Sequence, residues 1–424
     1  MQPGEPILII SHTFPPYRGV GGRRWAKLAK ELARRGHPVH VVHADQGEAL
    51  KGSLWNADIE QEGIHRYVLP ARYPQVLMKR PLTSFAERLA YRLWVRVLPW
   101  MVRGNVFDRS VRWAPVLLPA CQALIDRHGI LHVIATGPPF AYLQRLLVLK
   151  SSKDVHLVAD LRDPWTWGHL YGRESMGMRQ RATEDRLELE VMMGYDRITT
   201  PSAAILAHLH QAYPKHAAKC TLLEHIIDPD ELSQLPQPVN DGMFRMIYAG
   251  SMGHEAGFAD YFVEVLKAFG SVRDLAPERW RNLVFDLFIT GHDTTRVQRM
   301  VHEAGQEDRI HFRHPVPGHE LSPLIRRADV VLAFMPREKK DLVTTKLNEI
   351  AYLGTPILHI GDAGGMADHV VSRGLGDTLR VEDVAAQLPF VLMGERRVEN
   401  TGVYRAEEHL LGTVTDKLLR NILA

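Results

Sequence analysis

Short apolar runs alternate with longer amphipathic stretches along most of this chain. In the first half each apolar run has the length of a buried strand, and the runs lie at 6–10, 38–44, 64–70, 132–136 and 156–161. The stretch 23–35 after the first run has a helical pattern and ends at Gly36. Strand, loop and helix in repeated order predict an α/β fold with parallel sheets.

The same order of elements begins again after residue 241. The later runs lie at 246–249, 284–290, 310–313, 328–335 and 357–360. A chain of 424 residues is too long for one ordinary core. We therefore predict two doubly wound, Rossmann-like domains at 1–232 and 242–404, joined by a proline-containing linker at 233–241. An amphipathic last helix is predicted at 405–424, and it is expected to cross back to the first domain.

Composition narrows the class of protein. The net charge is +3, with 45% hydrophobic and 24% charged residues, which is typical of a soluble globular protein. No overall basic excess indicates a nucleic-acid partner, and we expect none. Two cysteines are not a disulfide framework and favour a reducing cytoplasm. No apolar run is long enough to span a membrane, and no signal peptide is expected at the first residues.

A helix is predicted between the apolar runs 328–335 and 357–360. Thr344 or Thr345 is its expected N-cap, and Gly354 followed by Pro356 is expected to end it. Its sequence, from Asp341 to Pro356, is DLVTTKLNEIAYLGTP. Lys346 and Glu349 are three apart, so they share one face near the helix start. Helix N–H groups and a lysine favour a phosphate, and a carboxylate one turn later suits a sugar diol. The alternative is an ordinary surface ion pair.

A glycine-rich loop, SHTFPPYRGVGG, follows the first strand and ends at Gly22. Its glycines permit close approach of a ligand to the backbone. The spacing differs from the dinucleotide-binding G-x-G-x-x-G, so NAD is not predicted. The alternative is a flexible turn without a ligand.

Polar residues also follow a later strand of the first half. Arg162 and Asp163 come directly after the run 156–161, where ligands of open α/β sheets bind. Asp163 is therefore a candidate for contact with a bound ligand. The alternative is that Arg162 holds Asp163 in an internal ion pair. Asp228-Pro-Asp230 resembles a metal-binding pair, but it lies close to the linker and we expect no metal there.

The segment 81–112 combines arginines with tryptophans. Arg88, Arg92 and Arg96 fall on one helical stripe, with Trp94 and Trp100 interleaved. Such a basic amphipathic stretch is typical of a helix on an anionic membrane surface. The alternative is a solvated basic face over an ordinary core helix.

The stretch Thr345 to Pro356 resembles the donor-site motif of family 4 glycosyltransferases, which have the GT-B fold of two Rossmann-like domains facing a cleft. That family has two acidic residues separated by seven, here Asp341 and Glu349, although Asp341 replaces the usual Glu. The resemblance also covers the glycine loop and the segment 131–165. It implies two catalytic candidates, Asp163 and Asp341.

The resemblance implies two further groups of site residues. The acceptor-side residues are Arg162 and Thr136. The donor-binding residues are Gly21, Gly22, Gly250, Ser251, His314, Val316, Thr345, Lys346, Leu347 and Glu349. His314 and Val316 would contact the nucleotide base, largely through the backbone. The basic residue that the family usually carries after its first donor-domain glycine loop has no match between Gly250 and Ala259.

The implied activity is transfer of a sugar from a nucleotide-sugar donor to a glycan, lipid-linked or small-molecule acceptor, with retention of configuration and without a metal or other cofactor. The implied setting is bacterial polysaccharide or glycoconjugate biosynthesis, in the cytoplasm and at the inner face of the membrane. Two alternatives remain: a nucleotide-sugar epimerase or hydrolase on the same fold, and a catalytically inactive GT-B scaffold at the membrane.

Overall fold

The computed structural model of the protein describes residues 4–79, 82–102, 104–167, 173, 176–232, 241–251, 255–290, 294–335, 337, 340, 343–402, 404 and 406–423. The chain forms two compact units. The first reaches to Ile226 and takes in the chain from Leu411, and the second is Ile227–Leu410. Residues 227–232 thus group with the second unit, whereas the sequence pattern places them in the first domain. The expected linker lies outside the described residues except for Asp241.

The first unit is built on a parallel sheet. In the described part of the chain its seven strands have the order β3-β2-β1-β4-β5-β6-β7. Each neighbouring pair is parallel, as in the register of Ile7 with Val39 and of Ile7 with His132. The strands are β1 Ile7–Ser11, β2 Val39–Asp45, β3 Ile64–Pro70, β4 His132–Gly137, β5 His156–Leu161, β6 Arg197–Thr200 and β7 Cys220–Leu222.

Helices connect these strands and cover the sheet. They are α1 Arg23–Arg34, α2 Phe85–Met101, α3 Ala114–His128, α4 Ala141–Arg145, α5 Leu147–Ser152, α6 Met178–Gly194 and α7 Ala203–Ala212. Within the arginine-rich segment 81–112, the helical part is α2, which ends at Met101. The next helix, α3, begins only at Ala114, after the segment. The central strand β1 is buried throughout, which explains its continuous apolar sequence.

The second unit repeats this architecture. Its six described strands have the order β10-β9-β8-β11-β12-β13 and are all parallel. They are β8 Phe244–Gly250, β9 Leu283–Ile289, β10 Ile310–Arg313, β11 Val330–Phe334, β12 Ile357–Ile360 and β13 Gly376–Leu379. The helices are α8 Glu255–Leu275, α9 Pro277–Arg281, α10 Thr295–Glu303, α11 Gly318–Arg327, α12 Thr345–Leu353, α13 Gly365–Ser372 and α14 Val381–Met393.

Helix α12 has the start and the end that its sequence predicts. Thr344 is the N-cap residue in an extended conformation, although its side chain makes no capping hydrogen bond. Gly354 ends the helix with a φ of 75°, in the left-handed region that favours glycine. Leu347 and Leu353 are buried in the core of the second unit and fix the inner face of the helix.

The end of the chain packs on the first unit. A short 3-10 turn, Ala406–His409, precedes α15 Leu411–Lys417, which continues as a π-turn to Ile422. Leu411, Val414 and Leu418 join the cluster beneath α1. Arg35, the residue after α1, donates to Asp416 at 2.5 Å and to the carbonyl of Gly412 at 2.9 Å. No helix in the described part of the chain has the length and apolarity to cross a membrane.

Candidate functional site

In both sheets the strand order changes direction between the first and the fourth strand of the unit. Ligands of open α/β sheets bind beyond the carboxyl ends of the strands at this position. In the first unit it lies between β1 and β4, next to the glycine loop and Thr136. In the second unit it lies between β8 and β11, next to Gly250 and the approach to α12. The sequence-predicted residues thus fall into two regions, one in each unit.

Lys346 and Glu349 line one pocket within the second unit. Ala249 forms part of its wall at the end of β8, and Gly318 forms part at the start of α11. The pocket encloses about 50 Å³. The shared face that their spacing predicts is therefore confirmed, and the pair lies in a concave site.

The ammonium group of Lys346 lies across the end of β8. It is half-buried and donates a hydrogen bond of 2.9 Å to the carbonyl oxygen of Ala249. Lys346 is the second residue of α12, whose first N–H groups receive no side-chain cap from Thr344. A positive charge and the positive end of a helix dipole thus occur together, and this combination favours an anion.

The loop after β8 is held close to this ammonium group. Tyr248 donates from its hydroxyl to the carbonyl of Ser251 at 2.7 Å, and burial raises the pKa of that hydroxyl, which remains a donor. A Cβ on Gly250 would lie 3.0 Å from the Tyr248 hydroxyl oxygen and 3.5 Å from Lys346 Nζ. Glycine at 250 is therefore explained by the close approach of two side chains.

Two further acidic residues line the same pocket. Asp228 and Glu231 line it, and Glu231 ends the short turn Pro229–Glu231. A Cβ on Gly318 would lie 2.8 Å from the carboxyl carbon of Glu231, so this carboxylate lies over the first residue of α11. Asp228 was expected only as half of a metal-binding pair, and Glu231 was not predicted as a site residue. Among the described residues no group of three side chains could hold a metal ion.

The other predicted donor-side residues are not all gathered at this pocket. His314 follows β10 and is exposed, whereas Val316 is half-buried and packs against the core that contains Leu347. Asp341 lies outside the described residues, and the side chain of Thr345 is not described either. The structure therefore brings Gly250, Lys346 and Glu349 together, and the binding roles of all the donor-side residues stay predictions.

In the first unit Arg162 ties the glycine loop to the end of β4. It donates from Nε to the carbonyl of Gly137 at 3.1 Å and from Nη2 to that of Pro138 at 2.8 Å. Its Nη1 donates to the carbonyl of Gly21. A Cβ on Gly21 would lie 2.9 Å from this Nη1 atom. Arg162 thus orders the loop through backbone carbonyls, and Asp163 beside it is half-buried.

Gly22 is required by the packing of the same loop. A Cβ there would lie 3.0 Å from both the Phe14 Cα atom and the Thr13 carbonyl oxygen. Both atoms belong to the backbone, which cannot move aside at little cost. The loop's glycines are therefore explained by contacts within the unit, and contact with a ligand stays a prediction.

Asp160 is the centre of a fully buried hydrogen-bond network. It accepts from Trp25 Nε1 at 2.7 Å, Arg24 Nε at 3.3 Å, Thr199 Oγ1 at 2.8 Å and Thr136 Oγ1 at 3.2 Å. Thr136, predicted on the acceptor side, is fully buried in this network. The side chain of Thr136 therefore faces the sheet interior and positions Asp160.

Two buried carboxylates of α6 hold the loop that follows Asp163. Glu184 accepts from Trp165 Nε1 at 2.7 Å and from the backbone N–H of Asn105 at 2.7 Å. Glu188 accepts from the hydroxyls of Thr166 and Tyr213. Burial raises the pKa of both carboxyl groups. Single-sequence patterns gave no signal for these contacts, which join residues of different elements.

The predicted membrane-surface residues lie on α2. Arg88, Arg92 and Arg96 are exposed, and Trp100 is 91% exposed. Trp94 instead packs against the small cluster of Tyr73, Leu77, Leu98 and Val106. Trp94 therefore belongs to the inner face of the helix, and the outer face contains different apolar residues.

Comparison with solved structures identifies the fold. Sucrose-phosphate synthase from Thermosynechococcus elongatus matches with a TM-score of 0.64, at 15% identity and covering 99% of both chains. WaaG, a glycosyltransferase involved in lipopolysaccharide biosynthesis, matches at 0.54 and 13% identity, covering 98% of this chain and 96% of the other. UDP-GlcNAc 2-epimerase from Neisseria meningitidis, bound to UDP-GlcNAc, matches at 0.56 and 12% identity, covering 99% of both. At these identities the likeness shows the fold alone.

The two doubly wound units and these matches define a protein of the GT-B class. Residues 21–231 match the model for Glycosyltransferase Family 4, and the chain belongs to this family of glycosyltransferases. A comparison with the sequences of curated proteins gives no match. The family expected from Thr345 to Pro356 is confirmed, and the family model matches a different part of the chain.

Proposed function

We propose that this protein transfers a sugar from a nucleoside diphosphate sugar to an acceptor hydroxyl. The observation that carries the proposal is the position of the Lys346 ammonium group at the start of α12, in the pocket that Glu349 also lines. A cation at a helix N-terminus suits the diphosphate, and a carboxylate one turn later suits the ribose hydroxyls.

In this proposal Lys346 acts on the leaving group. As the bond from the sugar to the diphosphate breaks, negative charge grows on the phosphate oxygens. The Lys346 ammonium group and the N–H groups of α12 stabilise that charge more strongly than they stabilise the ground state, which lowers the barrier. Glu349 accepts hydrogen bonds from the ribose and fixes the donor. Leu347, which is 1% exposed, anchors the helix in the core.

The proposed acceptor residues lie in the first unit. Asp163 contacts the acceptor hydroxyl or the transferred sugar. The other proposed catalytic residue, Asp341, belongs to the donor-site motif in the second half of the chain. Arg162 acts as a positioning residue because its guanidinium group holds Gly21, Gly137 and Pro138 in place. Retention of configuration and independence of metals belong to the same proposal.

The proposed acceptor is a glycan, a lipid-linked sugar or a small molecule of bacterial polysaccharide or glycoconjugate biosynthesis. The proposed location is the cytoplasm, with peripheral contact at the inner face of the membrane. A nucleotide-sugar epimerase is the second candidate, since an epimerase bound to UDP-GlcNAc has the same fold over 99% of both chains.

Thermal stability in the presence of UDP-, GDP-, ADP- and TDP-sugars tests the donor site. At a ligand concentration of 100 times Kd, binding stabilises the folded protein by about 2.7 kcal/mol. We expect one nucleotide to raise the melting temperature of the wild type, and Glu349→Ala to lose that rise. Glu278→Ala, at a side chain that is 87% exposed in the same unit, is the matched control and should keep it.

A rise with one nucleotide that only Glu349→Ala loses would support the donor site. No rise with any nucleotide would contradict it and favour the inactive scaffold. Product analysis then separates the two enzymatic candidates. A transferase releases a nucleoside diphosphate and extends an acceptor, whereas an epimerase returns a nucleotide sugar of altered stereochemistry without needing an acceptor.

A further inference from the structure

Helix α2 exposes a continuous apolar ridge. Along Phe85–Met101 the side chains on one side of the helix are exposed and apolar. They are Phe85 at 74%, Leu89 at 58%, Leu93 at 59%, Val97 at 37%, Trp100 at 91% and Met101 at 52% exposure. At ~100° per residue these positions cover roughly 160° of the helix surface. Isolated exposed apolar residues are ordinary, but a contiguous row of them marks an interaction surface.

The ridge belongs to a firmly placed helix. Ser84 and Glu87 form a capping box at its start. Leu98 is fully buried on the opposite side, where Trp94 also packs against the cluster of Tyr73, Leu77 and Val106. With its inner face held in this way, α2 presents the ridge outward in a fixed orientation.

Arginines accompany the ridge along one edge. Arg88, Arg92 and Arg96 recur at the same four-residue spacing as Phe85, Leu89, Leu93 and Val97, and all three are exposed. Within the described ranges no ion pair involves their guanidinium groups. Glu87 is the single acidic residue of α2, and it pairs with Lys79. The outer face therefore has three positive charges without a compensating carboxylate on the helix.

We propose that this outer face of α2 docks onto an anionic lipid bilayer. The ridge would enter the boundary between headgroups and acyl chains, and the three arginines would contact lipid phosphates. The proposal assigns a surface to the peripheral location proposed above. It lies within the first unit and does not depend on nucleotide binding or on transfer.

Charge complementarity favours a bilayer over a second copy of the chain. In a two-fold dimer with antiparallel α2 helices the arginine edges of the two copies would meet, and in a parallel one each copy would still add three positive charges to the interface. Such like-charge contact opposes association. An anionic bilayer supplies an apolar phase for the ridge and negative charge for its edge, so it satisfies both features of the same face.

Flotation with lipid vesicles tests the proposal. The probes are vesicles of phosphatidylcholine alone and vesicles in which about a third of the lipid is phosphatidylglycerol. We expect the wild type to float with the anionic vesicles, to bind phosphatidylcholine much more weakly, and to bind less at high salt because the arginines are screened. Arg88→Gln, Arg92→Gln and Arg96→Gln combined should lower the anionic partition coefficient roughly 100-fold, at about fivefold per arginine.

A ridge variant and two controls complete the experiment. Leu89→Ser, Leu93→Ser and Trp100→Ser combined should abolish flotation even at low salt. Met178→Ser with Leu275→Ser removes side chains that are 89% and 75% exposed elsewhere, and it should leave flotation unchanged. Arg179→Gln, Arg296→Gln and Arg299→Gln combined is the control for charge, at exposed arginines on α6 and α10, and it should also leave flotation unchanged.

Three results would overturn the proposal. The first is absence of wild-type flotation with anionic vesicles. The second is equal loss of flotation in the control variants. The third is a wild-type dimer in light scattering that the ridge variant dissociates, without vesicle binding, which would assign the surface to a second copy. Unchanged melting temperatures of the variants verify that each of them is folded, which is expected because the altered side chains are exposed.

Discussion

The Lys346 ammonium group donates to the Ala249 carbonyl oxygen at 2.9 Å, and this bond links the motif helix to the end of β8. Without a partner outside α12, the long Lys346 side chain could adopt many rotamers. The strand carbonyl reduces that freedom and places the charge beside Gly250. The position of this cation is therefore set by two elements that lie almost 100 residues apart in the sequence.

Replacing Lys346 by Met should weaken nucleotide binding. The change removes the positive charge but keeps an apolar stem of similar length. Loss of a hydrogen bond to a charged group costs about 2 kcal/mol, so the Kd for a nucleoside diphosphate should rise roughly thirtyfold by calorimetry. Lys267→Met, at a lysine that is 60% exposed in the same unit, is the control. An equal effect of both variants would argue against a diphosphate at Lys346.

Replacing Glu231 by Gln should strengthen nucleotide binding. The Glu231 carboxylate lies over the start of α11 and lines the pocket of about 50 Å³, whereas small-molecule sites usually enclose roughly 300–1,000 Å³. The pocket is therefore too small to hold a whole nucleotide, and a carboxylate in its wall would repel a diphosphate bound there. Removing the charge at a helix N-terminus changes binding by about 1 kcal/mol, so Kd should fall roughly fivefold.

Calorimetric titration with the nucleoside diphosphate checks this prediction. Glu278→Gln, at a surface position, should leave the Kd unchanged. If Glu231→Gln raised the Kd instead, the carboxylate would be a ligand of the donor rather than an obstacle to it.

Replacing Asp160 by Ala should destabilise the first unit. The change removes the acceptor of the Arg24 Nε–H group and of the Trp25 indole N–H group, and it leaves the buried Arg24 guanidinium group without its carboxylate partner. Breaking a buried charged pair from one side costs roughly 3–5 kcal/mol of unfolding free energy. Asp126→Ala is the control, since Asp126 pairs with Lys153 at a side chain that is 59% exposed and should change stability by less than about 1 kcal/mol. Urea denaturation followed by circular dichroism measures both, and a small effect at Asp160 would contradict the network.

Acid should destabilise the protein through its buried histidines. Burial lowers the pKa of His12 to about 3 and that of His43 to about 4, from an ordinary value of 6.5. Below pH 6.5 the unfolded chain therefore binds protons that the folded chain does not bind. The unfolding free energy should fall as pH decreases from 6.5 through these folded-state pKa values, by up to ~1.4 kcal/mol per pH unit for each histidine.

His12→Leu isolates one of these contributions. The variant should reduce the slope of unfolding free energy against pH by about one proton between pH 4 and 6.5. Denaturant titrations at several pH values measure the slope, with His319→Leu at an exposed side chain as the control. A slope that His12→Leu leaves unchanged would show that His12 does not stay neutral in the folded state.

Many elements follow directly from the pattern of apolar residues. The strands at 64–70, 156–161, 310–313 and 357–360 have the predicted bounds. The inner strands β5 and β12 are buried along almost their whole length, as expected for apolar runs in a parallel sheet. The edge strands β3 and β10 are only partly buried. Helix α3 was missed because Pro115 and Pro119 obscure its pattern. Burial of its Leu117 and Cys121 in the core outweighs that local signal.

The last helix is another element that the sequence pattern predicts only in part. An amphipathic pattern predicts one helix over 406–423, but the structure divides it into a 3-10 turn, α15 and a π-turn. His409 belongs to the second unit, where its Nδ1 atom lies 3.1 Å from Asn348 Nδ2. Leu411, two residues later, packs in the core of the first unit. The break follows from packing on two separate cores, which periodicity within one segment does not encode.

The sequence by itself determined the two α/β units, the bounds of α12, the shared face of Lys346 and Glu349, and the family. Each of these depends on periodicity, spacing or a contiguous motif. Only the tertiary structure decided that Glu231 lies over the start of α11 and that Arg162 donates to the Gly21 carbonyl. It also decided which residues of α2 pack inward, such as Trp94, and which form the exposed apolar ridge. These relationships join residues distant in sequence, or depend on which face of an element is buried, and long-range packing sets both.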